Sequence, residues 1–405
     1  MKHIKAAFLA KVIVLAVLST FVASSNANSD FDRWVRAFLP IAIKNGIRED
    51  VFKRAFAEIT PDEEVLKAAN NQAEFVKAIW DYLDSAVSDN RIQNGKTKLG
   101  DFQTDLIQME VKWGIDREVL VAIWGLESAY GAILDNDKVV KSVIRSLATL
   151  AYKGEARAKF GRTQLIAALK ILQNQDISFD KFTGSWAGAM GHTQFIPTTY
   201  LAHAVDYDGD GKRDIWGRPH DALASAANYL AVSGWQRGKS WGIEVSLPEN
   251  FDYALADGKT TQLIEKWLKI GITYNYSNSS ISQQDQARLF LPGGASGPKF
   301  LLFKNFDVIK RYNNANAYAL AIGHLSDRIK GGGAFQGSWP RHLTVLNRQE
   351  IKELQRLLTE KGFNTGGIDG LIGPKSRAAI RAYQRAQGDI PDGFVTTEML
   401  EELQS

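Results

Sequence analysis

The sequence predicts a mainly α-helical protein with a small β-containing insert and a separate, small C-terminal unit of three helices. Three observations lead there. Apolar residues recur at helical spacing over most of the chain, a short stretch near residue 245 alternates at the period of a strand, and a Gly/Pro-rich segment at 331–340 precedes a last, self-contained set of helical repeats. With 405 residues, 45% apolar and 23% charged, the chain suits two or three packed units and has none of the composition of a disordered protein.

From Asp30 to about Leu99 the helical spacing is carried by Trp34, Phe38, Ile41 and Ile43, then by Phe52, Phe56 and Val65, then by Phe75, Ile79 and Tyr82. Thr60-Pro61-Asp62 marks a helix start within it. More helices are expected between Gly100 and Trp241, broken by a Gly-rich loop at 183–191 and an acidic stretch at 206–214. The insert is expected over 242–292, where Ile243-Glu244-Val245-Ser246-Leu247 alternates and Ser277-Asn278-Ser279-Ser280 reads as a loop. One helix is expected from near Val308 past Tyr318 to Ile329, ending at Gly331-Gly332-Gly333. In the last unit, Ile351, Leu354, Leu357-Leu358, then Ala379-Ile380 and Tyr383, then Met399-Leu400 and Leu403 place three helices on one core.

The first 27 residues have the layout of a secretory signal peptide: Lys2, Lys5 and Lys11, the apolar run 12–18, and Ser25-Asn26-Ala27 at the cleavage end. The run is broken at Ser19-Thr20, short of the ~20 residues a membrane span needs. We therefore expect no stable membrane anchor and an exported protein. The formal charge of +4 falls close to neutral once those three Lys are removed, and no basic block appears, so nucleic acid is not an expected partner. Absence of Cys excludes disulfides, thiolate nucleophiles and Cys-based zinc sites. Ten Trp are more than a core requires, which favours stacking on a ring-shaped ligand such as a sugar.

The strongest chemical signal is a carboxyl in an apolar run, Val119-Leu120-Val121-Ala122-Ile123-Trp124-Gly125-Leu126-Glu127. On a helix the neighbours of Glu127 are Ile123, Trp124, Tyr130 and Gly131, with no Lys or Arg within a turn. Desolvation then raises its pKa, as a general acid acting on a glycosidic oxygen requires. The run alone equally allows a terminal Glu that faces solvent or pairs with a distant Arg. The loop Gly184-Ser185-Trp186-Ala187-Gly188-Ala189-Met190-Gly191-His192-Thr193-Gln194-Phe195-Ile196-Pro197 adds close-approach glycines with Ser, Gln and aromatic groups suited to a sugar.

These two pieces, with Asn71-Gln72-Ala73-Glu74-Phe75, Trp124-Gly125-Xaa-Glu127-Ser128-Xaa-Tyr130-Gly131, Ala226-Ala227-Asn228-Tyr229-Leu230 and Tyr312-Asn313-Asn314-Ala315-Asn316-Ala317-Tyr318, resemble in order the lytic murein transglycosylase B family, glycoside hydrolase family 103. The resemblance covers most of residues 30–330 and implies a lysozyme-like catalytic domain. It implies that Glu127 is the single catalytic acid/base and that Ser185, Gln194, Phe195, Tyr229, Asn313 and Tyr318 lie at saccharide-binding positions. Arg157 resembles one of a basic pair whose other member is here Ala156. Leu354-Gln355, Gly362-Phe363, Asp369-Gly370-Leu371-Ile372-Gly373-Pro374, Tyr383-Gln384 and Asp392-Gly393 resemble the peptidoglycan-binding domain 1 family. The expected domains are a signal peptide at 1–27, a lytic transglycosylase domain at 28–338 and a peptidoglycan-binding domain at 345–405.

The resemblance implies cleavage of the MurNAc–GlcNAc β-1,4 bond of peptidoglycan by one carboxyl, the C6 hydroxyl of the muramic acid serving as nucleophile, where hydrolytic glycosidases use two carboxylates. Two rivals remain open on sequence: a hydrolytic muramidase on the same scaffold, and a wall-binding protein without catalysis. The expected partner is the peptidoglycan glycan strand, the expected place a Gram-negative periplasm, and no cofactor is expected in catalysis. A structural Ca²⁺ is expected at Asp206, Asp208, Asp210, Lys212 (through its carbonyl) and Asp214, the first part of an EF-hand-like loop. Position 12 of that loop is Gly217; the resemblance implies that Asp221 completes the set, and the alternative is a solvated acidic turn without metal. His192 is expected to be a wall residue, and Trp186 the tryptophan that faces sugar.

Overall fold

A computed structural model of the protein describes residues 30–71, 78–274 and 281–405. The expected signal peptide, the 72–75 part of one motif with Phe75, and the 277–280 loop lie outside these residues. The fold is mainly helical and packs as two units, each drawn from two stretches of chain.

The first unit comprises 30–71 with Ile133–Arg218. Its helices are 30–44, Glu49–Phe56, Glu63–Asn71, Val143–Lys153, Ala158–Gln173 and Pro197–His203, as the spacing predicts. Trp34 stacks on Phe38 (5.1 Å) and Phe52 on Phe56 (4.4 Å), so the aromatic stripe read from sequence is a packed seam. Ile41 and Ile43, expected on the same face, are instead 48% exposed, because the helix turns Phe38 and Ala42 inward. A two-residue ladder, Lys141–Ser142 against Thr183–Gly184, fixes the start of the Gly-rich loop.

The second unit comprises 78–132 with Pro219–Ser405. Its axis is the helix Arg117–Ser128, in which every residue from Glu118 to Gly125 is buried. Helices Asp89–Asp101, Gln103–Trp113, Pro219–Val232 and Asn316–Lys330 pack around it, which accounts for a run apolar on all sides. The single helix expected from Val308 to Ile329 is two, Lys304–Tyr312 and Asn316–Lys330. Asn313 is extended (φ −144°, ψ 120°) and its Oδ1 accepts the Ala315 N–H, a local bond that competes with the helical one.

The insert is a four-stranded antiparallel sheet in the order Gly242–Val245, Lys299–Leu302, Gln286–Phe290, Thr261–Leu263. It runs past the expected limit of Pro292, because its last strand in sequence, Lys299–Leu302, carries three consecutive buried apolar residues, Phe300, Leu301 and Leu302, and shows no alternation. Val245, Ile264, Trp267, Leu289 and Leu301 form its core. The C-terminal helices Arg348–Glu360, Pro374–Gln387 and Thr397–Gln404 share the predicted core of Ile351, Leu354, Leu358, Ile380, Tyr383, Met399, Leu400 and Leu403. Asn347 and Glu350 close a capping box at its first helix.

Close backbone approach sets the pairing of Val143–Lys153 with Ala158–Gln173: a Cβ at Gly161 would lie 2.5 Å from Ala151 N and 2.8 Å from Leu150 C. Gly161→Val should therefore destabilise the protein by about 2 kcal/mol or more, measured as a lowered urea midpoint at unchanged slope. An unchanged midpoint would contradict this packing.

Candidate active site

In the second unit, the helix carrying Glu127 ends one residue later through a run of left-handed residues, Ala129 (φ 50°), Tyr130 (φ 60°) and Gly131 (φ 91°). Tyr130 is therefore not one turn above Glu127, as a continuous helix would have it. Its hydroxyl donates to Arg91 O (2.7 Å) and its ring meets Trp124 edge-on (5.8 Å). The ring also fills the space of an absent side chain, since a Cβ at Gly125 would come 2.5 Å from it, and at Gly95 a Cβ would meet Ile329 Cδ1 at 2.5 Å and the Tyr130 hydroxyl at 2.7 Å. Ser128 Oγ accepts the Gly131 N–H (3.1 Å) and donates to Trp124 O (3.3 Å), which locks the turn.

This turn leaves Glu127 at the C-terminal end of a buried helix with a partly exposed edge. Tyr318, from the helix Asn316–Lys330, donates its hydroxyl proton to Glu127 Oε1 at 2.6 Å. Burial pushes the Glu127 pKa up to about 7, and the Tyr318 hydrogen bond opposes it. The negative end of the helix dipole also disfavours the carboxylate there. The tyrosine itself is buried, and burial and the neighbouring carboxyl raise its own pKa well above the ordinary value. Tyr82 belongs to the same cluster: burial raises its pKa first, and Glu127 second. Sequence spacing had placed Tyr82 on a core stripe, and nothing in that spacing separates an aromatic of the core from one beside a buried carboxyl.

The other expected residues of this unit make contacts of their own. Tyr229 donates its hydroxyl proton to Arg311 O (2.7 Å) and sets its ring edge-on to Tyr312 (5.5 Å). Asn313 is exposed in the break just before the helix that carries Tyr318. Asp221 is buried in the first turn of Pro219–Val232.

In the first unit, Ser185 organises the Gly-rich loop. Its Oγ accepts the N–H groups of Ala187 (3.3 Å) and Ala189 (3.0 Å), and its own N–H donates to Ala189 O (2.7 Å). Gly191 (φ 66°) is required, because a Cβ would sit 2.2 Å from Ile215 O. Gln194 is left-handed (φ 53°) and its Nε2 donates to Gly191 O (2.8 Å). Phe195 is only 2% exposed, so its ring supports the loop from inside and offers no stacking face, contrary to the expected sugar contact of an aromatic there. Arg157 lies over the Trp186 ring at 5.2 Å, pairing the two residues expected to face substrate. His192 is buried beside Gly217 O, and burial lowers its pKa, in keeping with a neutral wall residue.

The acidic loop of the same unit brings carboxylate oxygens of Asp206, Asp208 and Asp210 within 4.8 Å of one another. Asp206 accepts from Gly209 N (2.7 Å) and Gly211 N (2.9 Å), and Asp210 from Lys212 N (2.8 Å). Three carboxylates folded inward on a turn are a donor set that suits a hard cation. Asp214 stands outside that cluster, its Oδ1 accepting the N–H groups of Trp216 and Gly217 (both 2.9 Å).

A carboxyl that folding makes harder to ionise has a stability consequence. The folded-state pKa of Glu127 lies above its unfolded value near 4.5, so stability is full below pH 4.5 and is lost as the pH rises through about 7. Glu127→Gln, which cannot ionise, should be more stable than the parent by about 2–3 kcal/mol at pH 8, with the gain vanishing at pH 4. Urea denaturation at the two pH values measures both, and an equal effect at each would contradict the burial argument.

Residues 30–327 match the family described as the transglycosylase SLT domain, and residues 347–403 match a peptidoglycan binding domain family. The chain is 25% identical over 331 residues to the membrane-bound lytic murein transglycosylase B of Escherichia coli K12, covering 78% of this chain and 86% of that protein. It is 46% identical to SltB3 of Pseudomonas aeruginosa, solved with NAG-anhNAM-pentapeptide, with a TM-score of 0.88 over 93% of this chain and 99% of that one. It is 25% identical to the E. coli lytic transglycosylase Slt35 solved with calcium, with a TM-score of 0.60 over 74% of this chain and 92% of that one. These relatives share the lysozyme-like fold expected from the sequence. With an SLT domain over most of its length, an apolar helix carrying Glu127 in its last turn and Tyr318 bonded to that carboxyl, the chain belongs to the lytic transglycosylase SLT family.

Proposed function

We propose that this protein cleaves the β-1,4 bond between MurNAc and GlcNAc of peptidoglycan without water, using Glu127 as general acid and then general base. The observation that carries the reading is the Glu127 carboxyl itself, its pKa raised by burial to about 7 and one oxygen held by the Tyr318 hydroxyl. In the first step the protonated carboxyl gives its proton to the glycosidic oxygen as the C1–O bond breaks. In the second, the C6 hydroxyl of the same muramic acid closes on C1, and the carboxylate takes the hydroxyl proton. A 1,6-anhydro end forms, Glu127 returns to its starting state, and no cofactor is consumed. A pKa near neutrality serves both halves, since the same group must release and then recapture a proton. Tyr318 orients the carboxyl and stabilises the carboxylate between the steps.

Among the described residues, burial and the Tyr318 hydroxyl are the influences on the proton of Glu127. That supports a one-carboxyl mechanism over hydrolysis, which requires a second carboxylate to activate water or attack the sugar. Ser185, Gln194, Arg157, Tyr229 and Asn313 are assigned to saccharide or stem-peptide contacts, with Trp186 as stacking surface. We assign 28–338 to catalysis and 345–405 to wall binding, and export to the periplasm through the 1–27 segment. Among the described residues no helix is long and apolar enough to cross a membrane.

A structural Ca²⁺ at Asp206, Asp208, Asp210 and the Lys212 carbonyl is part of this reading, with Asp214 tightening the exit of the loop.

The decisive experiment is mass spectrometry of fragments released from purified peptidoglycan. The parent protein should release fragments ending in 1,6-anhydro-MurNAc, one water lighter than reducing sugars, and Glu127→Gln should release none. Reducing ends would make it a hydrolase, and no fragments from the parent would make it a wall binder. For the acidic loop, millimolar Ca²⁺ should raise the melting temperature of the parent but not of Asp208→Ala. Equal responses would remove the calcium assignment.

A further inference from the structure

The C-terminal helical domain contains one turn built twice. In the first copy, Gly370 N donates to Gln355 Oε1 (2.9 Å), and Gln355 Nε2 donates to Asp369 Oδ1 and to Leu371 O (both 3.0 Å). In the second, Gly393 N donates to Gln384 Oε1 (2.8 Å), and Gln384 Nε2 donates to Asp392 Oδ1 (3.0 Å) and Phe394 O (3.2 Å). Leu371 N closes on Asp369 Oδ1 (2.9 Å) as Phe394 N closes on Asp392 Oδ1 (2.8 Å). Both glycines have φ 75°. Ile372 and Val395 pack on the same core, and a helix starts after each turn, at Pro374 and Thr397. Asp369 and Leu371 are thus the counterparts of Asp392 and Phe394.

The second copy already grips a piece of this chain. Its free oxygen, Asp392 Oδ2, accepts the Ala295 N–H at 2.7 Å, next to Gly294. Gly294 has φ 66°, and an L-Cβ on it would lie 2.6 Å from Asp392 Oδ2 and 2.8 Å from Phe394 Cβ. The occupant of such a turn is therefore a left-handed residue with no L side chain on the gripped face, followed by a donated N–H. A D-residue meets both conditions. By mirror symmetry its favoured φ is positive, and its Cβ replaces the other hydrogen of Cα, away from the turn.

The first copy is open. Asp369 is exposed, its Oδ2 has no hydrogen-bond partner among the described residues, and Leu371 is 60% exposed where its counterpart Phe394 covers Gly294. We propose that the Asp369–Leu371 turn binds a peptide containing a D-residue, the chemistry of a peptidoglycan stem, with the N–H after that residue donated to Asp369 Oδ2 and the D-residue backbone against Leu371. This rests on the reading that the substrate is peptidoglycan. It makes the domain a reader of the peptide rather than of the sugar.

The test is methyl NMR of the full chain titrated with N-acetyl-D-Ala-D-Ala and with its all-L isomer. The D peptide should shift the Ile368 and Leu371 methyls saturably, and the L isomer should bind about tenfold more weakly. Asp369→Asn keeps Oδ1 for the turn but sets an amide donor against the peptide N–H, and should weaken the Ile368 response by a similar factor. Leu371→Ser, a change at an exposed side chain, should do the same without any risk to folding. Equal binding of both isomers, shifts confined to other residues, or indifference to both substitutions would overturn the proposal. These peptides contain no glycosidic bond. Failure here alongside anhydro fragments from the wall would sink this inference alone, and absence of fragments would sink the catalytic reading alone.

Discussion

The contact on which the chemistry of this protein depends is the 2.6 Å hydrogen bond from Tyr318 to a carboxyl that folding has made hard to ionise. Three features of the sequence produce that state. The helix Arg117–Ser128 is apolar on every side and can be satisfied only at the centre of a helical unit. Gly125 leaves room for the Tyr130 ring and Gly95 for its hydroxyl and the Ile329 side chain, so that the ring packs edge-on against Trp124 at the carboxyl end of that helix. The break at Asn313–Ala315 lets a second helix begin where Tyr318, in its first turn, meets Glu127. Burial costs the protein stability at neutral pH and supplies a proton donor in return, a trade typical of catalytic carboxyls.

What could be read from the sequence follows from which signals are local. The burial of the helix before Glu127 was readable because eight apolar or small residues in line call for a buried helix, whereas the run left the carboxyl itself free to face solvent or a distant Arg, and only the resemblance favoured the buried state. The three C-terminal helices were readable from spacing. The end of the insert was not, since Phe300, Leu301 and Leu302 are buried on both faces of their sheet and carry no alternation. Nor was the position of Tyr130, because three consecutive left-handed residues of which only one is glycine have no local signature. Phe195 shows the converse limit. A motif aligned it with substrate-binding positions, yet only packing decides that its ring is turned inward.

Glycine does separate work in each part of the molecule. Gly161 and Gly191 permit backbone contact that any side chain would block, whereas Gly370 and Gly393 permit a left-handed turn that Gln355 and Gln384 then clamp. The repetition of that clamp gives the C-terminal domain two equivalent surfaces. One is spent on the insert, where the Arg381 guanidinium also donates to Ala256 O. The domain is thus held to the sheet by the same turn chemistry that its other copy leaves open.

The central claim is that Glu127 still holds its proton about half of the time near neutral pH because of where it is buried. The most direct measurement is the carboxyl carbon shift of Glu127 in ¹³C-glutamate-labelled protein, assigned by its loss in Glu127→Gln and followed from pH 3 to pH 9. The account predicts a midpoint near 7 that rises further in Tyr318→Phe, where the carboxylate loses its donor. A midpoint near 4.5 with no response to Tyr318→Phe would contradict it.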